Sequence, residues 1–249
     1  MIENRNTLIV IPARMASTRL PGKPLADING LPMILHVWRR AVEANLGQVL
    51  VAAAESSIAE LVRSHGGDAI VTEPSLPSGS DRVAEALRLR DPQRTFANIV
   101  NLQGDLPFID ALSLRRCLAG LVNEAADIST IAALITDPAD AANANIVKAI
   151  APLGDDREIA FARDFVRVPG PGHQPPYWHH IGVYAYRRKA LERFVEMTIS
   201  DNESVRRLEQ MRALDNGMRI AVVRVDAVPL SVDTPAELEH ARRVMRRPA

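Results

Sequence analysis

The sequence IPARMASTRLPGKPL, residues 11–25, follows directly after TLIV at 7–10, a short run of aliphatic and β-branched residues. The stretch carries two hydroxyl side chains, three prolines, one glycine and three cations, which are Arg14, Arg19 and Lys23. The prolines restrict the loop, and Gly22 allows the main chain to approach a ligand closely. A strand that leads into a stiff and basic loop is typical of a site that binds a polyanion.

A simpler interpretation of each cation, taken alone, is a solvated surface residue. Three cations in one stiff loop after the first strand favour a triphosphate or sugar-phosphate site, because arginine offers a fork of donors to phosphate and lysine adds a mobile charge. The first turn has no G-x-G-x-x-G fingerprint, and the chain has no Walker P-loop. Hydride transfer is disfavoured accordingly.

The composition limits the kinds of ligand that the chain can attract. Its 249 residues are 47% hydrophobic and 24% charged, with a formal net charge of +0. That length and hydrophobic share suit one large α/β domain, or one domain with a small appended subdomain. A neutral chain has no long-range field for nucleic acid or an anionic membrane, so any anion site must be local.

Cysteine content and hydropathy predict a cytoplasmic protein. Cys117 is the only cysteine of the sequence, which excludes an internal disulfide and a cysteine-rich zinc site, and its helix leucine neighbours indicate a core position. The first ten residues lack the apolar segment of a secretory signal. No run approaches the ~20 apolar residues of a membrane helix.

Short apolar runs alternate with segments of helical periodicity in the first half of the chain. The runs predict buried strands at 7–11, 49–53, 69–72 and 98–102. The periodic segments predict helices at about 33–42, 58–62, 83–87 and 110–124. This alternation indicates right-handed βαβ units and a mainly parallel sheet, with a ligand site at the carboxyl ends of the strands.

The pattern is less regular in the second half. Strands are predicted at 128–135 and 146–150 with no clear helix between them, and 151–176 is rich in Pro, Gly, Asp and Arg and is predicted to be irregular. The last predicted elements are a strand at 181–186, helices at 189–197 and 203–214, a strand at 220–225 and a helix at 235–245.

Two aspartates follow predicted strands. Asp105 ends NLQGD and lies at the carboxyl edge of the sheet, on the side of the basic loop. A carboxylate there repels phosphate unless a cation lies between them, and Mg²⁺ bound by carboxylates and substrate phosphates resolves the conflict. Asp233, in SVDTP, is the second candidate, although Asp-Thr-Pro is by spacing alone the better match to a helix N-cap. The two roles can fall on Asp233 as ligand and Thr234 as cap.

Two further polar motifs give weaker signals. SGSDR at 78–82 matches a Ser/Asp helix cap, with a base or ribose contact through Ser80 and Arg82 as the functional alternative. His179 and His180 are adjacent on a predicted strand, so they point to opposite faces and do not readily chelate one metal ion.

Taken in order, the motifs resemble the 3-deoxy-D-manno-octulosonate (Kdo) cytidylyltransferases, also called CMP-Kdo synthetases. The matching segments are IPARMASTRLPGKPL (11–25), SGSDR (78–82), VNLQGDLP (100–107), NANIVK (143–148), FAR (161–163), HIGVYAYR (180–187), LEQMRAL (208–214) and VDTPAELE (232–239). They span almost the whole chain, and the first and last are the most specific.

The resemblance implies an α/β fold, namely a nucleotidyltransferase-like (GT-A/Rossmann-like) three-layer sandwich with a mainly parallel sheet and a smaller dimerisation subdomain. Residues 1–249 would form a single nucleotidyltransferase domain, with an inserted substrate and dimerisation region at about 151–218. The implied reaction is magnesium-dependent: the anomeric hydroxyl of Kdo attacks the α-phosphate of CTP, giving CMP-Kdo for lipopolysaccharide core biosynthesis and pyrophosphate. The implied enzyme is a cytoplasmic homodimer that binds neither nucleic acid nor a membrane.

The resemblance also assigns roles to individual residues. Those assigned to the nucleotide are Arg14, Ser17, Arg19, Lys23, Ser80, Arg82 and Asp105. Those assigned to the acid sugar are Gln103, Arg163, His180, Tyr184, Glu209 and Gln210. The implied catalytic set is Arg14, Lys23, Asp105 and Asp233, of which the two aspartates would ligate Mg²⁺.

The chain departs from the family pattern mainly on the sugar side. Leu106 replaces the usual glutamate after QGD, Arg206 and Arg207 stand where an acidic residue is common, and Asp164 begins an unusual continuation after FAR. An 8-amino variant of Kdo therefore remains an alternative sugar, as does a sialic-acid-like sugar, against which the STRLPGKPL loop weighs. A non-catalytic nucleotide-binding homologue is a third alternative, disfavoured because the cations and carboxylates are all present.

Overall fold

The computed structural model describes residues 6–123 and 125–246, and the chain divides into two compact units. The N-terminal unit comprises residues 6–114 and 229–246, and the central unit comprises residues 115–123 and 125–228. Among these residues, no helix is long and apolar enough to cross a membrane.

Four parallel strands form the centre of the N-terminal unit. The four strands are β1 (Thr7–Ala13), β4 (Gln48–Ala53), β5 (Asp68–Val71) and β6 (Asn98–Leu102). Two further strands, β2 (Asp27–Ile28) and β3 (Leu31–Pro32), form a separate short hairpin. The order is β5-β4-β1-β6, and every neighbouring pair in that order is parallel. β1 is flanked on both sides and all its residues are buried, which explains its uninterrupted apolar sequence.

Helices connect these strands as the periodicity predicts. They are α1 (Met33–Ala44), α2 (Ser56–Ser64) and α3 (Gly79–Arg90), and α4 (Ala111–Ala119) follows β6. The prediction of βαβ units with a mainly parallel sheet is therefore confirmed for the N-terminal unit. The helix predicted at 110–124 is shorter, since α4 passes into a 3-10 turn at Gly120–Val122, and Glu124 lies outside the described residues.

The central unit combines parallel and antiparallel pairing. Its strands are β7 (Ile128–Leu134), β8 (Lys148–Ile150), β9 (Ile159–Phe161), β10 (Asp164–Val166), β11 (Trp178–Arg187) and β12 (Ile220–Val225). β7 is parallel to β12 and antiparallel to β11, β9 is antiparallel to β12, and β8 pairs with both β10 and β11. The helices are α5 (Pro138–Ala142), α6 (Arg188–Glu196), α7 (Asp201–Arg206) and α8 (Gln210–Asp215), after which α9 (Pro235–Met245) returns the chain to the N-terminal unit.

Tight packing inside the central unit depends on one glycine and on the single cysteine. A Cβ added to Gly120 would lie 2.0 Å from the Oγ atom of Ser129, so only glycine fits there. Cys117 is fully buried and directs its thiol at the carbonyls of Ser129 and Val183, both at 3.7 Å. Burial raises the pKa of this thiol to about 12, which keeps it protonated, and the predicted core position is confirmed.

Two predictions for the central unit are wrong because short elements leave little trace in the sequence. No helix was expected between 135 and 146, yet α5 forms there; it buries no residue, so it has no hydrophobic periodicity, and only Asp137 followed by Pro138 marks its start. The segment 151–176 was expected to be irregular, but β9 and β10 form in it by pairing with β12 and β8, which lie outside the segment.

The single helix predicted at 203–214 is also wrong, because the chain breaks into α7 and α8. Arg207 adopts a left-handed conformation with φ 54°. Arg167, which is distant in sequence, donates through Nε to the carbonyl of Arg206 at 3.1 Å and through Nη2 to that of Arg207 at 3.2 Å. These bonds satisfy the carbonyls at the end of α7, a tertiary effect that helical periodicity cannot register.

Candidate active site

The basic loop after β1 folds back on itself and is anchored through Met15. The amide of Met15 donates to both carboxylate oxygens of Glu55 at 3.1 Å, and its carbonyl accepts from the amide of Gly22 at 3.2 Å. Gly22 has φ 69°, which glycine adopts without steric strain, and a 3-10 turn then begins at Lys23. Hydrogen bonds of the Met15 main chain to Glu55 and Gly22 therefore hold the loop. The side chain of Arg14 is not used in this anchoring and has no hydrogen bond or ion pair to any other described residue.

Glu55 is a site residue that the sequence analysis missed. It follows β4, the neighbour of β1, so its position after a parallel strand was the available signal. Its charge also acts on the surrounding cations: burial and the nearby Arg14 lower the pKa of Arg82, whereas Glu55 raises it. Glu55 therefore anchors the loop and offsets repulsion between the two guanidinium groups.

Lys23 forms ion pairs with both Asp105 and Asp233, which are far apart in the sequence. Its Nζ atom lies 2.8 Å from Oδ2 of Asp105 and 2.9 Å from Oδ1 of Asp233, and the three side chains are 17%, 25% and 28% exposed. The other oxygen of Asp233 lies 3.1 Å from Nη2 of Arg19. Burial lowers the pKa of Lys23, but the two carboxylates outweigh burial, and the net pKa is raised. Lys23 is thus a firmly charged ammonium.

The main chain brings the two aspartates together. The amide of Val232 donates to the carbonyl of Asp105 at 2.9 Å, which joins the segment after β6 to the segment before α9. Gly104 permits a close approach to β1, because a Cβ there would lie 3.1 Å from the carbonyl oxygen of Pro12.

In SVDTP the structure assigns the helix cap to Thr234, and the ligand role expected for Asp233 stays a prediction. Thr234 is the N-cap of α9 and forms a reciprocal capping box with Glu237. The side chain of Asp233 is left to face the cations of the basic loop. The cap prediction is confirmed for Thr234.

The start of α3 forms another wall of the site. Ser78 is the N-cap and accepts from the amide of Asp81 at 3.2 Å, so the predicted Ser/Asp cap is confirmed. Ser78 and Gly79 line the cavity, whereas Ser80 is only 1% exposed.

Arg82 is buried and supports the segment after β5. Its Nη1 donates to Oγ1 of Thr72 at 2.6 Å and to the carbonyl of Glu73 at 3.1 Å, and its Nη2 donates to the carbonyl of Pro74 at 3.3 Å. Arg82 is 2% exposed but still borders the cavity. The structure therefore shows that Arg82 braces this segment, and its contact with the nucleotide stays a prediction.

These elements enclose one cavity of about 370 Å³ within the N-terminal unit. The residues that line it are Pro12, Ala13, Arg14, Ala16, Ser17, Thr18, Arg19, Lys23, Pro24, Ser78, Gly79, Arg82, Gln103, Gly104, Asp105 and Asp233. Four of these side chains are cationic and two are acidic, in a chain whose net charge is +0. The excess of positive charge is therefore local and suits a polyphosphate.

Gln103 lies in the same cavity, next to the first turn of α3. Its Nε2 donates to Oδ1 of Asn101 at 3.0 Å, and a Cβ on Gly79 would lie 3.4 Å from its amide atoms. The neighbouring residue Leu106 is 5% exposed and buries an apolar side chain where the family resemblance leads us to expect a carboxylate.

The donor set at the cavity fits Mg²⁺. This ion is usually bound by one or two carboxylates together with substrate phosphates and water. Asp105 and Asp233 supply two carboxylates that converge on a single nitrogen atom of Lys23. Within residues 6–123 and 125–246, no group of three or more His, Cys, Asp or Glu side chains could hold a metal ion. Asp105 and Asp233 are the two acidic side chains among the described residues that line this cavity.

The central unit contains the residues that the resemblance assigns to the sugar, apart from Gln103. The ring of His180 lies 5.1 Å from that of Phe165 and 5.5 Å from that of Tyr184, measured between centroids. Burial lowers the pKa of His180 to about 3 and raises the pKa of Tyr184 well above its ordinary value, with Glu209 contributing to the latter shift. His180 and Tyr184 are both neutral at pH 7.

The remaining predicted sugar residues differ in exposure. Gln210, in the first turn of α8, is 7% exposed. Arg163 is an exposed residue between β9 and β10, and its guanidinium has no hydrogen bond or ion pair with any residue that the structure describes. Arg163 is therefore available to an anionic ligand.

Two departures from the family pattern form one ion pair. Arg206 donates from Nη1 to Oδ1 of Asp164, and the other oxygen of Asp164 lies 3.3 Å from Nε2 of His173. Arg206 also donates to the carbonyl of Phe165 at 3.1 Å. The charges of Asp164 and Arg206 therefore neutralise each other next to Phe165, whose ring packs against that of His180.

Comparison with known proteins identifies close relatives. A family model described as cytidylyltransferase matches residues 8–220. A 3-deoxy-manno-octulosonate cytidylyltransferase from Parvibaculum lavamentivorans is 55% identical over 96% of this chain and 93% of its own length. The enzyme of that name from Paramagnetospirillum magneticum is 52% identical over 96% of this chain and 97% of its own.

The fold of this chain is similar to that of a solved structure. It is that of CMP:2-keto-3-deoxy-manno-octonic acid synthetase complexed with CTP, with 37% identity and a TM-score of 0.86. The match covers 96% of this chain and 98% of the other. The predicted nucleotidyltransferase-like fold is confirmed.

Proposed function

The chain belongs to the 3-deoxy-manno-octulosonate cytidylyltransferases, as its sequence motifs predicted, and we propose from this premise that it activates Kdo with CTP. The products are CMP-Kdo, for lipopolysaccharide core biosynthesis, and pyrophosphate. The observation that carries the proposal is the cavity of the N-terminal unit, which four cations and two carboxylates line, with Arg14 and Asp105 shortly after the parallel strands β1 and β6.

In the proposed reaction, the anomeric hydroxyl of Kdo attacks the α-phosphorus of CTP. A bond forms between the sugar oxygen and phosphorus, the bond to the β-phosphate breaks, and the hydroxyl proton is lost to solvent. Arg14 and Lys23 bind the triphosphate with support from Arg19 and Ser17, and their fixed charges stabilise the transition state. No side chain is assigned as a general base.

Mg²⁺ is part of this proposal, with Asp105 and Asp233 as its protein ligands. Both carboxylates share one cation, the Lys23 ammonium, at 2.8 and 2.9 Å, which supports their ability to bind a cation jointly. The ion would supply charge stabilisation to the phosphates and lower the pKa of a coordinated hydroxyl.

The proposal is tested by pyrophosphate release with Mg²⁺, using CTP, ATP, GTP and UTP in turn, each with and without Kdo. We expect release that requires both CTP and Kdo. Release with CTP alone, or equal release with all four nucleotides, would contradict the proposal. CTP binding with no release in the presence of Kdo would support the non-catalytic alternative.

An 8-amino variant of Kdo is the second candidate sugar, because of two observations on the sugar side. Leu106 removes a family carboxylate, and Asp164 and Arg206 form a pair that departs from the family pattern. Turnover of the two sugars under identical conditions, with a sialic acid as a third substrate, discriminates between them. A kcat/KM that favours Kdo by tenfold or more would exclude the amino sugar as the main substrate.

We also propose that the enzyme is a cytoplasmic homodimer. The central unit exposes apolar residues that are available to such an interface, and they include Val122, Val168, Ile199 and Val205. Light scattering after gel filtration should give twice the chain mass of 27.3 kDa. A single-chain mass at micromolar concentration would contradict the dimer.

A further inference from the structure

The hydroxyl of Thr130, on β7, connects the ladder of β11 to the ring of His180. Thr130 is fully buried, and its Oγ1 lies 2.8 Å from the carbonyl oxygen of Val183 and 3.2 Å from that of Ile181. The same Oγ1 lies 3.0 Å from Nε2 of His180. The register of β11 against β7 shifts between Ile181 and Tyr184, at this point of the sheet.

The number of protons that each of these groups can donate determines the direction of each hydrogen bond. A threonine hydroxyl has one proton to donate, and a carbonyl oxygen can only accept. The proton of Thr130 therefore goes to the carbonyl of Val183, with that of Ile181 as a longer second acceptor. The contact with His180 is then satisfied only if Nε2 of His180 carries a proton and donates it to a lone pair of Oγ1.

This assignment leaves Nδ1 of His180 without a proton when the ring is neutral. No described residue forms a hydrogen bond with Nδ1, and His180 keeps intermediate exposure as a residue even though its ring is packed deeply enough for burial to lower its pKa. The rings of Phe165 and Tyr184 pack beside it and offer no positive charge. Burial, followed by the nearby His179, lowers the pKa of His180, which agrees with a neutral ring.

We propose that Thr130 is a positioning residue that holds His180 as the neutral Nε2–H tautomer, so that Nδ1 accepts a hydrogen bond from a donor of the sugar. The donor is a hydroxyl or an ammonium group, and the sugar carboxylate is left to cations such as the exposed Arg163. This inference rests on the proposed function for its ligand, but the tautomer itself is a property of the free protein.

The tautomer is measured directly by two-bond ¹⁵N–¹H correlation spectra of the histidine rings in the full-length protein. Comparison with His180→Asn identifies the resonances of His180 among the six histidines of the sequence. We expect a protonated Nε2 and an unprotonated Nδ1 at pH 7. An Nδ1–H tautomer or an imidazolium in the wild-type protein would overturn the proposal without any Thr130 variant.

Two substitutions of Thr130 extend the test. Thr130→Val keeps the branched shape but removes the acceptor, so we expect a mixture of tautomers and a KM for the sugar raised about 5- to 10-fold, with kcat and the KM for CTP within threefold. Thr130→Ser retains the hydroxyl and should restore both the spectrum and the KM. An unchanged tautomer in Thr130→Val would overturn the positioning role.

The spectra and the turnover assay separate this inference from the proposed function. A protonated Nε2 in a protein that does not turn over Kdo would uphold the tautomer and contradict the substrate. Turnover of Kdo with an Nδ1–H tautomer would uphold the function and contradict the role of Thr130.

Discussion

The two units of the chain present opposite chemistry to a ligand. In the N-terminal unit, charged side chains converge: Lys23 is shared by Asp105 and Asp233, and the cavity has more cations than carboxylates. In the central unit, the cluster around His180 and Tyr184 is neutral and aromatic. A triphosphate requires the first environment, whereas a polyol can be bound by neutral donors and acceptors.

The difference also shows how each environment is held in place. The charged site depends on strand ends and main-chain bonds, such as the amide of Met15 on Glu55. The neutral cluster depends on side chains that fix one another, such as Thr130 on His180. Substitutions should therefore affect CTP and the sugar separately, and the following experiments test that separation.

Asp105→Asn should have the largest effect. It removes a carboxylate proposed to bind Mg²⁺ but keeps the shape of the side chain, so we expect kcat to fall about 100- to 1,000-fold. Pyrophosphate release measures this, and Asp68→Asn, at an exposed position of the same unit, is the matched control. Activity within fivefold of wild type would contradict the catalytic assignment of Asp105.

Lys23→Met should raise the KM for CTP and leave the KM for Kdo nearly unchanged. Loss of a charge-assisted contact with the triphosphate corresponds to about 10- to 100-fold in the KM for CTP. Lys189→Met, an equal change of charge at an exposed residue of the central unit, is the control. If the two KM values rise equally in Lys23→Met, the proposed division between the units is wrong.

His180→Asn should flatten the dependence of stability on pH. The pKa of His180 is about 3 in the folded protein and about 6.5 when unfolded, so the unfolded chain binds an additional proton between these values. The neutral ring therefore contributes stability above pH 6.5 that is lost as pH falls toward 3.

Urea unfolding between pH 5 and pH 7 measures this contribution. The wild-type slope should exceed that of His180→Asn by up to one proton. Identical slopes for wild type and His180→Asn would show that the ring is not buried as a neutral group.

The ion pair between Asp164 and Arg206 should have the smallest effect. Both side chains are partly exposed, at 20% and 31%, so a double-mutant cycle with alanine should give a coupling energy of about 1 kcal/mol in unfolding. The KM for CTP should not change in any of the three variants. A CTP effect above threefold would indicate that this pair reaches the nucleotide.

The charged part of the site could be predicted from the sequence because its residues follow strands that short apolar runs reveal. Thr7–Ala13 is buried throughout, so its apolar run reveals the strand; Arg14 follows it directly, and Lys23 lies in the same loop. Asp105 follows another strand of the same sheet. Parallel strands bring such residues to one edge, which links positions far apart in the chain.

The remainder depends on tertiary contacts that no local pattern encodes. Glu55 acts through the amide of Met15, and Arg167 ends α7 from a distant loop. Thr130 has the pattern of an ordinary strand residue, and its role appears only when the carbonyl of Val183 and the ring of His180 are placed beside it. The sugar residues were therefore assigned by family resemblance, and those individual roles stay predictions.

The central claim, that this chain joins the α-phosphate of CTP to the sugar, is tested most directly by ³¹P NMR of a reaction with CTP, Mg²⁺ and Kdo. The account predicts one new phosphodiester signal, from CMP-Kdo, that grows in equal amount with pyrophosphate and is absent when Kdo is omitted. Formation of CMP and pyrophosphate at the same rate without Kdo, or no consumption of CTP, would contradict it.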